Sequence, residues 1–196
     1  MSQLSAWLAN VTASDNCDLE VDIDNDYGDE NGLSDLCGAT GSVTVTWTAT
    51  DHCDNEQTCS STFTIQDTTN PEITEEASAE TVQCDGSGNT AALSAWLNDN
   101  GGAQATDDCG DVTWSYSPNP AAVSDECGET GAVTVTFTAT DDCNNTSTTS
   151  ATFTIEDTID PEVTTMAMDT TAECDGFGNS AEFYAWLANA GGAVAT

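Results

Sequence analysis

Across 133–140 apolar and polar side chains alternate one for one, Val133, Val135, Phe137 and Ala139 being interleaved with Thr134, Thr136, Thr138 and Thr140. Successive side chains of an extended chain point to opposite faces, so this period of two predicts a strand with one buried face. The same phase recurs at Val43, Val45, Trp47 and Ala49. Phe153 and Ile155 predict the following strand, and Val112, Trp114 and Tyr116 an earlier one, with Leu19, Val21 and Ile23 as its counterparts in the other copy. Asp, Asn, Gly and Cys fill the intervals, as turns require. One segment departs from the alternation. Residues 91–98 carry Ala, Leu, Trp and Leu at helical spacing, with Asn89 and Thr90 ahead as a cap and Gly101 and Gly102 behind as a stop. This predicts a short helix across one edge or end of a sandwich, with Trp96 and Leu97 or Leu93 closing its core.

The pattern repeats. Ala-Trp-Leu ends at Leu8, Leu97 and Leu187, spacings of 89 and 90 residues, and GSVTVTWTATDHCDN at 41–55 returns as GAVTVTFTATDDCNN at 131–145. STFTIQDTTNPEIT at 61–74 returns as ATFTIEDTIDPEVT at 151–164. A unit of this length is too long for a solenoid repeat and suits one autonomous β-sandwich. The phase predicts a module over 1–66 lacking its N-terminal strand, a complete module over 67–156 and the N-terminal part of a third over 157–196. Met1 aligns with Thr90 and Thr196 with Thr106, both within a unit. The chain therefore reads as a window from a longer array, with an export signal and an anchor expected outside it.

Charge narrows the partners. The chain has 35 acidic residues, no Lys and no Arg, for a formal charge of −35. No internal ion pair can relieve this imbalance, so cations from solvent must, over a screening length of ~8 Å at physiological salt. An ion-rich exterior suits such a surface. Nucleic acid and anionic membranes are disfavoured partners, because no side-chain cation is present to meet a phosphate. Nine cysteines in recurring loop positions point to an oxidising, extracellular compartment. A zinc site is disfavoured: no Cys-x-x-Cys occurs, His52 is the sole histidine, and the Cys53-x5-Cys59 spacing is not repeated.

The succession DTTNPEIT, VQCDGSGN, AWLNDNGGAQATDDCG, DECGETGAVTVTFTATDDCNN and ATFTIEDTIDP resembles the hyalin-repeat-like (HYR-like) modules of giant secreted surface proteins of Bacteroidetes. These include gliding and surface adhesins and filaments used in prey capture. The resemblance covers essentially the whole chain. It implies an all-β fold of tandem immunoglobulin-like β-sandwiches of about 90 residues, each with one short helix and stapled by disulfides.

Given that fold, poles can be assigned. Cys84 and Cys127 fall at the exit pole of the complete module, and Cys109 and Cys143 at its entry pole. A bridge needs Cα atoms within about 7 Å. The expected pairs are therefore Cys84 with Cys127, Cys109 with Cys143 and, in the preceding copy, Cys17 with Cys53. Cys37 then wants a partner upstream of Met1, Cys174 one downstream of Thr196, and Cys59 either one upstream or none.

Carboxylates cluster at the same entry pole: Asp107 and Asp108 before Cys109, Asp141 and Asp142 beside Cys143, and the linker residue Asp67. The preceding module would add Asp35 from its exit loop. Hard cations such as calcium take about six to eight oxygens of this kind, so an interdomain calcium site is expected here, against the alternative that these residues only form turns. The loops CDGSGN and CDGFGN offer Asp85 and Asn89, or Asp175 and Asn179, as further oxygen ligands. Asp22, Asp24, Asp26 and Gly28 do not make an EF-hand, since Tyr27 stands where its glycine belongs and Leu33 where its glutamate belongs. Alternate Asp side chains instead suit a solvated edge strand.

Catalysis has little support, because no base-activated nucleophile or oxyanion-stabilising cation recurs between copies. The expected function is a non-enzymatic repeat segment of a giant extracellular adhesin or surface filament. It would act as a stiff, cation-stabilised spacer for cell adhesion, gliding or prey attachment, partnered by neighbouring modules and other copies of the chain, and would reach a target cell surface through another region. The alternative is a carbohydrate- or ligand-binding accessory module of a secreted enzyme, although Trp47, Trp96 and Trp114 all read as core rather than as a sugar platform. A third idea, ice binding by Thr-x-Thr strands, competes with the ordinary strand preference of threonine. Asn10, Asn144 and Asn145 open N-linked acceptor triplets, and Asp67, Asp157 and Asp169 open triplets resembling the O-linked acceptor of Bacteroidetes.

Overall fold

A computed structural model describes residues 3–17, 20–28, 32–124 and 128–196. It falls into two compact units, Met1–Ile155 and Glu156–Thr196. The first unit opens with helix α1 (Gln3–Leu8) and strands β1 (Asp22–Asn25), β2 (Gly41–Thr50) and β3 (Glu56–Ile65). It continues with β4 (Glu72–Glu75), β5 (Glu80–Gln83), α2 (Thr90–Asn98), β6 (Gln104–Thr106), β7 (Thr113–Ser117), β8 (Gly131–Thr140) and β9 (Thr146–Glu156). The chain is an all-β protein built of repeated antiparallel modules.

The alternating segments are the backbone of both sheets. β8 pairs antiparallel with β9 from Gly131 opposite Ile155 to Thr140 opposite Thr146, and β2 pairs with β3 from Gly41 opposite Ile65 to Thr50 opposite Glu56. The two hairpins thus share one register, 90 residues apart. β7 flanks β8, and β5 flanks β9, completing a four-stranded sheet in the order β5-β9-β8-β7, while the first copy holds β1-β2-β3. A short β4–β6 ladder accompanies the larger sheet. The earlier strand of the first copy is β1. Ile23 faces Ala49 there as Trp114 faces Ala139 in the second copy, while Leu19 lies outside the described residues.

Period two translates directly into burial. Val135, Phe137, Ala139 and Phe153 are fully enclosed, and Val133 and Ile155 nearly so. Helix α2 lays Leu93, Trp96 and Leu97 on this face, making one cluster with β8 and β9. It therefore forms part of the core layer rather than only closing an edge. The Trp96 indole N–H donates to the Ser78 carbonyl at 3.0 Å, which satisfies its only polar atom. A separate cluster in the first copy joins Val43, Val45 and Trp47 to Trp7, Leu8, Ile23 and Phe63. On the outer face the threonines satisfy one another: Thr44 and Thr62 hydroxyls lie 2.8 Å apart, and Thr134 and Thr152 lie 2.9 Å apart.

The two copies differ where segments differ. Ile155 is 3% exposed but its counterpart Ile65 is 37% exposed, because among the described residues no strand flanks β3 as β5 flanks β9. Thr149 shows the same contrast: its hydroxyl accepts the Ala77 N–H at 3.0 Å and is buried, whereas Cys59, in the same place on β3, is exposed.

The second unit holds β10 (Val163–Thr165), α3 (Ser180–Ala188) and β11 (Val194–Ala195), with β10 and β11 antiparallel. Its Trp186 N–H donates to the Met168 carbonyl at 3.0 Å, repeating the tie of Trp96 to Ser78. The apolar face of α3 is bare: Leu187 is 55% exposed where Leu97 is 7% exposed.

Candidate functional site at the module junction

The loops that follow β6 and β8 meet at one pole of the second module, and each is built on an aspartate that organises backbone N–H groups. Asp141 is buried. Its Oδ1 accepts the N–H groups of Cys143 and Asn145 at 2.8 Å each, and its Oδ2 accepts the Asn145 side-chain amide at 2.8 Å. Burial pushes its pKa up, but these hydrogen bonds outweigh that and hold the carboxyl below its usual range. Asp51 repeats the arrangement with Cys53 and Asn55. Asp107 accepts the Cys109 N–H at 2.8 Å, and Asp142 accepts the Asp111 N–H at 3.2 Å.

Three of these groups converge. One oxygen each of Asp67 and Asp107 and the sulfur of Cys109 all lie within 4.8 Å of one another. Asp67 uses Oδ1 to accept the Thr69 N–H at 2.9 Å, but its Oδ2 is buried without a hydrogen-bond partner. Leaving a buried acceptor unmet costs roughly 1–3 kcal/mol, so this oxygen fits a cation. Burial and then the negative charges of Asp67, Asp107, Asp108 and Asp141 push the Cys109 thiol pKa up, so it stays protonated at neutral pH. A neutral thiol is no ligand for calcium, and the pole therefore offers a hard cation two converging carboxylates.

The other expected ligands are placed elsewhere. Both oxygens of Asp141 are committed to its own loop, Asp108 and Asp142 are exposed, and among the described residues neither they nor Asp35 joins the group of three. The CDGSGN and CDGFGN loops are turn chemistry. Asp85 accepts the N–H groups of Ser87 and Asn89, and Asn89 returns a bond to Asp85 N–H and donates to the Gln83 carbonyl. Asp175 and Asn179 repeat this scheme. The Phe177 N–H is the first reason that Asp175 has a lowered pKa. Asp22 and Asp24 lie exposed on β1, at the edge of its sheet.

The exit loop of the first module reaches this pole. The Ala39 N–H donates to the Cys109 carbonyl at 2.7 Å, and Gly38, at φ 54°, packs so closely that a Cβ would collide with that carbonyl. Cys37 and Cys143 form a disulfide with Cα atoms 5.0 Å apart, across a sequence separation of 106. This corrects the expected pairing of Cys109 with Cys143 and the need of Cys37 for an upstream partner. Cys109 is a free thiol, and Cys17 and Cys53, expected as a pair, are both free and exposed. Cys84 is also free, and its expected partner Cys127 lies outside the described residues. The physical reason lies in the poles themselves. An exit-pole cysteine of one module and an entry-pole cysteine of the next are neighbours once the junction closes, so Cys143 meets Cys37 across the joint rather than Cys109 within its own module.

The fold and this junction define tandem all-β modules joined end to end by a loop contact and a disulfide. No family model matches the chain, and no curated protein matches it. Among solved structures it is similar to PcdhgB3 EC1-4, at TM-score 0.28 and 9% identity over 77% of this chain and 43% of that one. It is also similar to the protocadherin GammaB4 extracellular domain, at TM-score 0.27 and 14% identity over 80% of this chain and 30% of that one. The chain spans less than half the length of either structure. No described helix is long and apolar enough to cross a membrane.

Proposed function

We propose that this chain is a non-enzymatic repeat segment of a long extracellular adhesin or surface filament, in which the modules act as stiff spacers. The observation that carries this reading is the closed junction. The Cys37–Cys143 bond and the Ala39 to Cys109 hydrogen bond tie neighbouring modules in one place, which a freely hinged linker would not do. The disulfide and the absence of cationic side chains both suit an oxidising, ion-rich exterior. Adhesion, gliding or prey attachment would then belong to an array of which such spacers are the shaft. Sugar binding is the weaker reading, since Trp47 and Trp96 are buried in the cores and unavailable to stack on a sugar.

The finer reading adds calcium at Asp67 and Asp107, where the unmet Asp67 Oδ2 is the supporting feature. Electron microscopy of native material with and without chelator tests both parts. Straight rods support the spacer, and isolated flexible beads would refute it. For calcium, millimolar CaCl2 should raise the Tm of the chain and Asp67→Asn should abolish most of that rise. Identical melting with chelator and with calcium would remove the ion from the proposal.

A further inference from the structure

We infer that Cys53 is the receiving half of a second intermodule disulfide, taking the cysteine that stands in the place of Cys37 in another copy of this module. The inference rests on the array reading above and gives it a mechanical form. Cys53 and Cys143 are equivalent: each follows an alternating strand, β2 or β8, by the same interval, and each sits in a turn organised by the same aspartate, Asp51 or Asp141. In Cys143 that position is bonded to Cys37 of the preceding module, while Cys53 is an exposed thiol. The pairing is oxidative, two thiols giving one disulfide with loss of two electrons and two protons to an extracellular disulfide or quinone oxidant.

The consequence lies in where tension travels. Cys53 and Cys37 are 16 residues apart and bracket β2, whose ten residues run from one pole of the module to the other. With both cysteines bonded outward, the shortest covalent route through a module is one strand, from Cys53 along β2 to Cys37 and across the disulfide to Cys143. The rest of each 90-residue repeat is shunted out of the line of force. At ~3.4 Å per extended residue, a module under load can lengthen to only about 55 Å, against about 300 Å if its whole backbone were drawn out. β2 lies at the centre of its sheet, between β1 and β3, so the taut strand is held along both edges by its neighbours.

Two measurements test this. Single molecules of the present chain, pulled by their termini, should gain about 350 Å of contour length on reduction, the ~3.4 Å extension of the residues enclosed by Cys37 and Cys143. Cys37→Ser and Cys143→Ser should each show the longer length without reductant, and equal lengths before and after reduction of the wild type would overturn the staple. In native protein, digestion at acidic residues, needed because the chain has no Lys or Arg, should recover the Cys53 peptide joined to an exit-loop peptide of another copy. A Cys17–Cys53 link, or a Cys53 that alkylates without reduction, would overturn the inference. Failure of the array reading looks different: a native mass of 20.3 kDa with the Cys37–Cys143 link present.

Discussion

Replacing Phe137 with Ala should unfold the second module at moderate temperature while leaving the first intact. The Phe137 side chain is fully buried at the middle of β8, opposite Tyr116 on β7 and Thr149 on β9. Its ring meets Trp96 edge-on at 5.3 Å between centroids and Tyr116 at 6.4 Å. A Cβ placed on Gly101 would come within 3.1 Å of Phe137 Cε2, so the covering loop is already in contact. Rigid rings on two sides and a strand backbone below leave nothing free to collapse into the space. Phe-to-Ala changes in cores cost roughly 3–5 kcal/mol, and a site that cannot relax belongs at the upper end. Against a stability of about 5–15 kcal/mol for a small domain, and at ~4–8 °C per kcal/mol, the Tm of this module should fall by about 20–30 °C. Phe137→Leu should cost roughly 1–2 kcal/mol. Urea unfolding followed by near-UV and far-UV circular dichroism measures the loss. The cluster around Val43, Val45 and Trp47 shares no residue with that around Phe137, so its transition should stay in place. A loss below ~1 kcal/mol, or an equal shift of both transitions, would refute the assignment of separate cores.

Asp141→Asn should flatten the acid limb of stability. The folded carboxyl sits below its usual value, so its contribution is complete above the unfolded pKa of ~3.9 and is lost as pH falls through the lower folded one. An acid titration of wild type and variant by circular dichroism checks this, and identical profiles would refute it. Gly38→Ala should open the junction, because the new Cβ meets the Cys109 carbonyl, whereas Gly128→Ala, its equivalent at φ 62° with nothing within 4 Å, should cost only the ~1–2 kcal/mol of a left-handed backbone. Hydrogen exchange at the Ala39 amide reads the difference, and retained protection in Gly38→Ala would refute the contact.

What was legible in the chain by itself was whatever depends on neighbours in sequence. The alternation over β2 and β8 set strand, face and core, because adjacent side chains of a strand must point oppositely, and the Ala-Trp-Leu motif marked a helix whose Leu93, Trp96 and Leu97 are indeed buried. The 90-residue period gave two hairpins one register. The clustering of carboxylates was also readable, but not its partition. Only the folded loops decided that Asp141 spends both oxygens on backbone and amide N–H groups while Asp67 keeps one buried and unmet. Cysteine pairing was decided last of all. Pole assignments within a module allowed Cys109 to meet Cys143, but a disulfide depends on which Cα atoms come within bridging distance, and that was settled by the preceding module's exit loop arriving with Cys37. The 90-residue period returns the cysteines, Cys53 as Cys143 and Cys37 as Cys127, but it does not say which copy bonds to which, because that is decided at the joint between repeats.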